Sequence, residues 1–139
     1  GPPPEVNLFN EKNNGLSVQT LISSSLVSSV HDVSKGGILT ALAKMCMGGS
    51  IGVNINININ NIGIHEYFFG EDQSRYIVEV SEKNKEEVCK ILDKNSVYFE
   101  IIGKTQKGNL EFKDKFSLNV SDLNKTNSFW FKNHFKDNI

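Results

Sequence analysis

From Ile51 to Asn60 apolar and polar residues alternate without a break. Ile51, Val53, Ile55, Ile57 and Ile59 fall on one face, and Gly52, Asn54, Asn56, Asn58 and Asn60 on the other. A period of two with β-branched side chains on one side predicts a strand, its isoleucines packed and its asparagines in solvent. Upstream, Leu16, Val18, Leu21, Ile22 and Leu26 follow helical spacing and predict an amphipathic helix over 16–27. A short strand is expected over 28–32. A helix from Ile38 to Met47 should follow, capped by Ser34 and stopped by Gly48-Gly49.

The aromatic stretch His65 to Gly70 reads as a loop or short helix, and Arg75 to Val80 as a strand. Ser81 is placed to cap a helix over 82–94 with Val88, Ile91 and Leu92 on one side. A strand over 97–102 would end at Gly103. Asn109–Phe112 and Phe116–Val120 form a hairpin across Lys-Asp-Lys, and a helix capped by Ser121 runs from Asp122 to Phe135. Strands that alternate with helices but also form hairpins give an α+β, mixed α/β class, with a sheet covered by helices. Gly1-Pro2-Pro3-Pro4 favours extended polyproline, so residues 1–14 read as an entry segment and 15–139 as the domain.

Composition narrows the function classes. The 139 residues suit one domain, and 38% apolar with 22% charged residues describes a soluble globular chain. Fifteen basic against sixteen acidic residues, net charge -1, exclude a strongly basic nucleic-acid binder and a polyacidic tail. No apolar run approaches the roughly 20 residues of a membrane span. No basic-then-apolar leader opens the chain, so a cytoplasmic location is expected. Cys46 and Cys89 lie in helix-like stretches and are expected as reduced thiols, and His31, His65 and His134 show no metal-ligand spacing.

Two segments carry candidate chemistry. In His31-Asp32-Val33-Ser34-Lys35-Gly36-Gly37 a strand ends in two ionisable side chains and a glycine turn opens a helix, whose free N–H groups attract anions. The alternative is that His31 and Asp32 bond to each other and the glycines serve only close packing. In Phe68-Phe69-Gly70-Glu71-Asp72-Gln73-Ser74-Arg75 two acids, an amide and the only arginine precede a strand. Arginine grips phosphate or carboxylate bidentately, and the acids suit a metal or sugar hydroxyls. The alternative is an ion pair of Glu71 with Arg75. No nucleophile–base arrangement or general acid/base pair is legible, so no catalytic residue and no metal ligand is assigned.

Together, His31-Asp32-Val33-Ser34-x-Gly36-Gly37-Ile38 and Phe69-Gly70-Glu71-Asp72-Gln73-x-Arg75-Tyr76 resemble the C-terminal domain shared by AIR synthase-related proteins. Within them the chain looks most like the last domain of the phosphoribosylformylglycinamidine synthase large-subunit family. Pro2-Pro3-Pro4, Ala41-Leu42-Ala43 and Gly49-x-Ile51-Gly52 agree, and the likeness runs from Pro2 to Trp130. The resemblance implies a three-layer α/β/α fold, distantly ferredoxin-like. It implies a part in an ATP-dependent ligase of purine biosynthesis that turns formylglycinamide ribonucleotide and ammonia into formylglycinamidine ribonucleotide. ATP and magnesium would serve the full-length enzyme, with no cofactor assigned to this segment alone. A glutaminase subunit would supply ammonia, and a small third subunit would bridge the two.

By the same resemblance the catalytic groups lie in other domains of the parent chain, so this one is expected to be inactive alone. Nucleotide or phosphate proximity is what carries over to His31, Asp32, Ser34, Gly36, Gly37, Glu71, Gln73 and Arg75. Partners would be the remaining domains and the two further subunits, not nucleic acid or membrane. Self-association is expected from the isoleucine strand face and the aromatic C-terminal helix. Two alternatives stay open: another superfamily member, such as AIR synthase or selenophosphate synthetase, or a non-catalytic module that holds a nucleotide.

Overall fold

The structure is a computed structural model that describes residues 6–59 and 63–135. Its elements are α1 (Leu8–Ser23), β1 (Ser29–Asp32), α2 (Gly37–Gly49), β2 (Gly52–Ile55), α3 (Ile64–Phe69), β3 (Tyr76–Glu79), α4 (Lys85–Lys94), β4 (Gly103–Gln106), β5 (Asn109–Phe112), β6 (Phe116–Asn119) and α5 (Val120–His134). The α+β class expected from the sequence is what these elements form. They divide into two compact units, Gly1–Ala41 with Ile59–Ile101 and Leu42–Asn58 with Ile102–Ile139. No helix among the described residues is long and apolar enough to cross a membrane.

The first unit holds an antiparallel ladder of β1 and β3, in which Ser29 faces Glu79 and Asp32 faces Tyr76. Its main core is Leu21, Leu26, Val88 and Leu92, where α1 and the segment after it meet α4. The second unit holds a four-stranded sheet in the order β4-β2-β5-β6. Here β2 runs antiparallel to β4 and parallel to β5, so Val53 lies opposite Leu110. Val53, Ile55, Leu110 and Val120 are buried.

Several element boundaries differ from the periodicity. The first helix starts at Leu8, where Asn7 caps it by accepting the Asn10 N–H at 3.0 Å, and ends at Ser23. Asparagine is as good a cap as serine, and hydrophobic spacing does not report it. For the same reason α5 is capped by Asn119, which accepts the Asp122 N–H at 3.2 Å, and not by Ser121. Ser81 caps nothing. Its carbonyl accepts the Asn84 N–H in a turn before α4, and its buried hydroxyl has no hydrogen-bond partner among the described residues. α2 runs through Gly48-Gly49 and stops where Ser50 turns left-handed (φ 50) and Ile51 N–H reaches back to the Cys46 carbonyl at 3.1 Å.

The alternating strand is shorter than its pattern. β2 covers Gly52–Ile55, and the Asn56 N–H adds one bond to the Ile102 carbonyl. Asn54, Asn56 and Asn58 are exposed, while Val53 and Ile55 are buried and Ile57 and Ile59 half-buried. The strand face is thus covered rather than left apolar to solvent. Pro2 to Pro4 and Asn60 lie outside the described residues. No strand forms over 97–102; Gly103 begins β4 instead of ending a strand. A Cβ on Gly103 would lie 2.3 Å from the Asn54 carbonyl oxygen, so glycine is what lets β4 lie against β2. The 109–119 hairpin forms as expected, with Asp114 left-handed at its turn.

Two outcomes check this packing. Leu21, 1% exposed, carries the first unit's core, so Leu21→Ala should cost about 2–5 kcal/mol in denaturant unfolding. Gly103→Val should lower the thermal midpoint and raise amide exchange at Asn54 and Ile55, because the β2–β4 ladder has no room for the branched side chain.

Candidate functional site

The β1–β3 register decides where the two candidate segments go. One step beyond the Asp32–Tyr76 pair, the Val33 N–H donates to the Arg75 carbonyl at 2.8 Å. The β1–α2 turn and the α3–β3 loop therefore leave the same end of the same ladder. Asp32, Ser34, Glu71, Gln73 and Arg75 line one cavity there, of about 380 Å³. That lies within the range of roughly 300–1,000 Å³ for small-molecule sites.

The turn is built from backbone constraints. Gly36 and Gly37 both have positive φ, 87° and 67°. A Cβ on Gly37 would lie 2.5 Å from the Phe68 carbonyl oxygen, so the head of α2 sits against the α3 backbone only because residue 37 has no side chain. The Gly37 N–H bonds the Ser34 carbonyl at 2.9 Å, which makes Ser34 part of a turn and not a side-chain cap. The Gly36 N–H, which the sequence offered to a phosphate, donates to Glu71 Oε1 at 2.8 Å. An internal carboxylate thus holds the helix-head donor and ties the two segments together.

His31 in β1 and Gly36 and Gly37 at the turn are not among the residues that line the cavity. His31 Nδ1 lies 2.6 Å from the Asp32 carbonyl oxygen and 3.4 Å from Asp32 Oδ1, the mutual contact given above as the alternative. Arg75 pairs with Asp72 rather than with Glu71. Its Nη2 is 3.3 Å from Asp72 Oδ2 and also bonds the Gly70 carbonyl, while Nε donates to the Asp72 carbonyl at 3.2 Å. Two of its three guanidinium nitrogens are committed to their own loop, and Nη1 has no hydrogen-bond partner among the described residues.

Glu11, Val33, Lys35, Ser74 and Tyr76 also line the cavity; the last four lie within the two segments but were given no role, and Glu11 lies outside both. Glu11 comes from α1, inside the stretch read as an entry segment, and no spacing links it to the motifs. Its Oε2 is buried without a hydrogen-bond partner among the described residues. The lining therefore mixes carboxylates (Glu11, Asp32, Glu71) with cations (Lys35, Arg75). It suits a ligand that carries both an anionic group and hydroxyl or amino donors better than a bare anion. Nearby, the Tyr67 hydroxyl donates to Glu100; burial first, then that bond and the Glu100 charge, pushes its ionisation up, so Tyr67 stays neutral. No group of three or more His, Cys, Asp or Glu among the described residues is arranged to hold a metal ion.

A larger cavity of about 690 Å³ lies in the second unit at the head of α5, lined by Ser50, Asn119, Asn124, Lys125 and Phe129 among others. It contains none of the motif residues, and its Lys125 is paired with Asp122 at 3.0 Å, so the smaller cavity is the better candidate.

Known proteins resemble the chain in sequence and in fold. Residues 1–115 match the family model described as AIR synthase related protein, C-terminal domain. Phosphoribosylformylglycinamidine synthase subunit PurL of Pelagibacter ubique is 45% identical over 99% of the chain and 19% of the relative. The PurL of Methylocella silvestris is 38% identical over 96% of the chain and 18% of the relative. The chain thus spans about one fifth of the length of the curated relatives it matches. Among solved structures, Thermotoga maritima PurL complexed with ATP superposes with a TM-score of 0.73 at 17% identity, over 86% of this chain and 22% of that one. PurLQS from the same organism gives a TM-score of 0.74 at 17% identity over the same shares, 86% and 22%. The fold is shared, and by the match over residues 1–115 the chain belongs to the AIR synthase-related C-terminal domain family.

Proposed function

We propose that this chain is the last domain of a phosphoribosylformylglycinamidine synthase large subunit. In this reading the complete enzyme converts formylglycinamide ribonucleotide, ATP and glutamine-derived ammonia into formylglycinamidine ribonucleotide. Ammonia comes from a glutaminase subunit, and a small third subunit bridges the two. The identity to PurL relatives along nearly the whole chain supports the enzyme, and the PurLQS assembly of the Thermotoga maritima relative supports the partners.

Within that enzyme the 380 Å³ cavity holds the phosphate-bearing part of a nucleotide or sugar phosphate and performs no bond chemistry. One observation carries this reading: the ladder step from Val33 N–H to the Arg75 carbonyl, which gathers both motifs at one mouth. Lys35 and the free edge of Arg75 would meet the phosphate. Asp32 and Glu11 would accept hydroxyl or amino donors, and Glu71 would keep the turn closed through Gly36. ATP, when bound, would supply the phosphate that activates the amide oxygen, and that transfer is assigned to the other domains. Among the described residues no group of three or more His, Cys, Asp or Glu is arranged to hold a metal ion, and the magnesium of the complete enzyme is assigned to other domains. The match to the ATP complex of the relative supports nucleotide as the ligand class.

The reading has three outcomes. The purified chain, given formylglycinamide ribonucleotide, ATP and ammonium, should release no phosphate above background; coupled-assay turnover would overturn the assignment of catalysis to other domains. Arg75→Ala in the complete protein should weaken ADP binding by about tenfold, the loss of one charge-assisted contact, measured by calorimetry. Phe129, Trp130 and Phe131 on α5 are 60–64% exposed, so the isolated chain should self-associate with rising concentration in light scattering, and Trp130→Ser should reduce it.

A further inference from the structure

Ser74 lines the cavity between Gln73 and Arg75 and has φ 63°, in the left-handed region that residues with a side chain uncommonly adopt. What holds it comes from another element. Asn14, in α1, donates through Nδ2 to the Ser74 carbonyl at 2.9 Å and also lies 3.0 Å from Ser74 Oγ, across 60 residues of sequence. One amide thus restrains both the backbone and the side chain of the strained residue. The next residue enters β3 through its carbonyl bond to Val33, while its guanidinium turns back over Gly70 and Asp72.

We infer that Asn14 is a positioning residue for the cavity: it clamps Ser74 in the left-handed conformation and thereby aims Gln73 and Arg75 at the bound phosphate group. The clamp rests on the proposed reading of the cavity for its purpose, but not for its geometry. Neither motif contains Asn14.

The test uses four forms of the complete protein: wild type, Asn14→Ala, Ser74→Gly, and the double variant. Without the clamp, amide exchange at residues 73–75 should rise by about tenfold while exchange at Val88 and Leu92 stays unchanged. ADP affinity should fall by a similar factor. Glycine adopts positive φ without strain, so adding Ser74→Gly should bring Asn14→Ala back toward wild type in both readouts. A role for Asn14 in helix packing alone would leave the double variant as impaired as the single one, and that result overturns the clamp. So does unchanged exchange at residues 73–75 in Asn14→Ala. If wild type takes up no ADP yet the exchange effect and its rescue appear, the clamp stands and the nucleotide reading falls.

Discussion

The pairing of β1 with β3 is the constraint on which the candidate site depends. An antiparallel ladder places the end of one strand beside the start of the other, and the register makes those ends Asp32 and Tyr76. A slip by one residue would send the side chains of β1 to the opposite face and separate the two loops. The extra bond from Val33 to Arg75 pins the register where the loops begin. Gly37 then lets α2 approach the α3 backbone, and Glu71 closes the gap by accepting the Gly36 N–H.

Much of the charge in the site is spent on holding it together. Arg75 is bound by the loop it terminates, Glu71 by the head of α2, and His31 by its neighbour Asp32. Bonds of this kind fix the side chains of the loops in place before anything binds. The neutral Tyr67 is tied to Glu100.

The family match ends at residue 115, while the PurL relative of Pelagibacter ubique aligns over 137 residues. β6 and α5 thus lie beyond the shared family model but within the likeness to that relative. α5 is anchored at its head by Val120 and Asn119, and its aromatic residues further along are exposed.

The residues alone determined the α+β class, the hairpin, the inward and outward faces of the 51–59 stretch and the two motifs. Each is local: side-chain alternation, turn residues and short spacings act over a few positions. Tertiary structure decided the helix starts at Leu8 and Val120, where asparagine caps compete equally with serine, and the start of β4 at Gly103, which backbone approach to β2 dictates. It also decided that Glu71 serves Gly36, that Arg75 pairs with Asp72, and that Glu11 and Asn14 of α1 belong beside the loops. Those choices depend on which groups a long loop closure brings within hydrogen-bonding distance, and no local pattern along the chain encodes that distance.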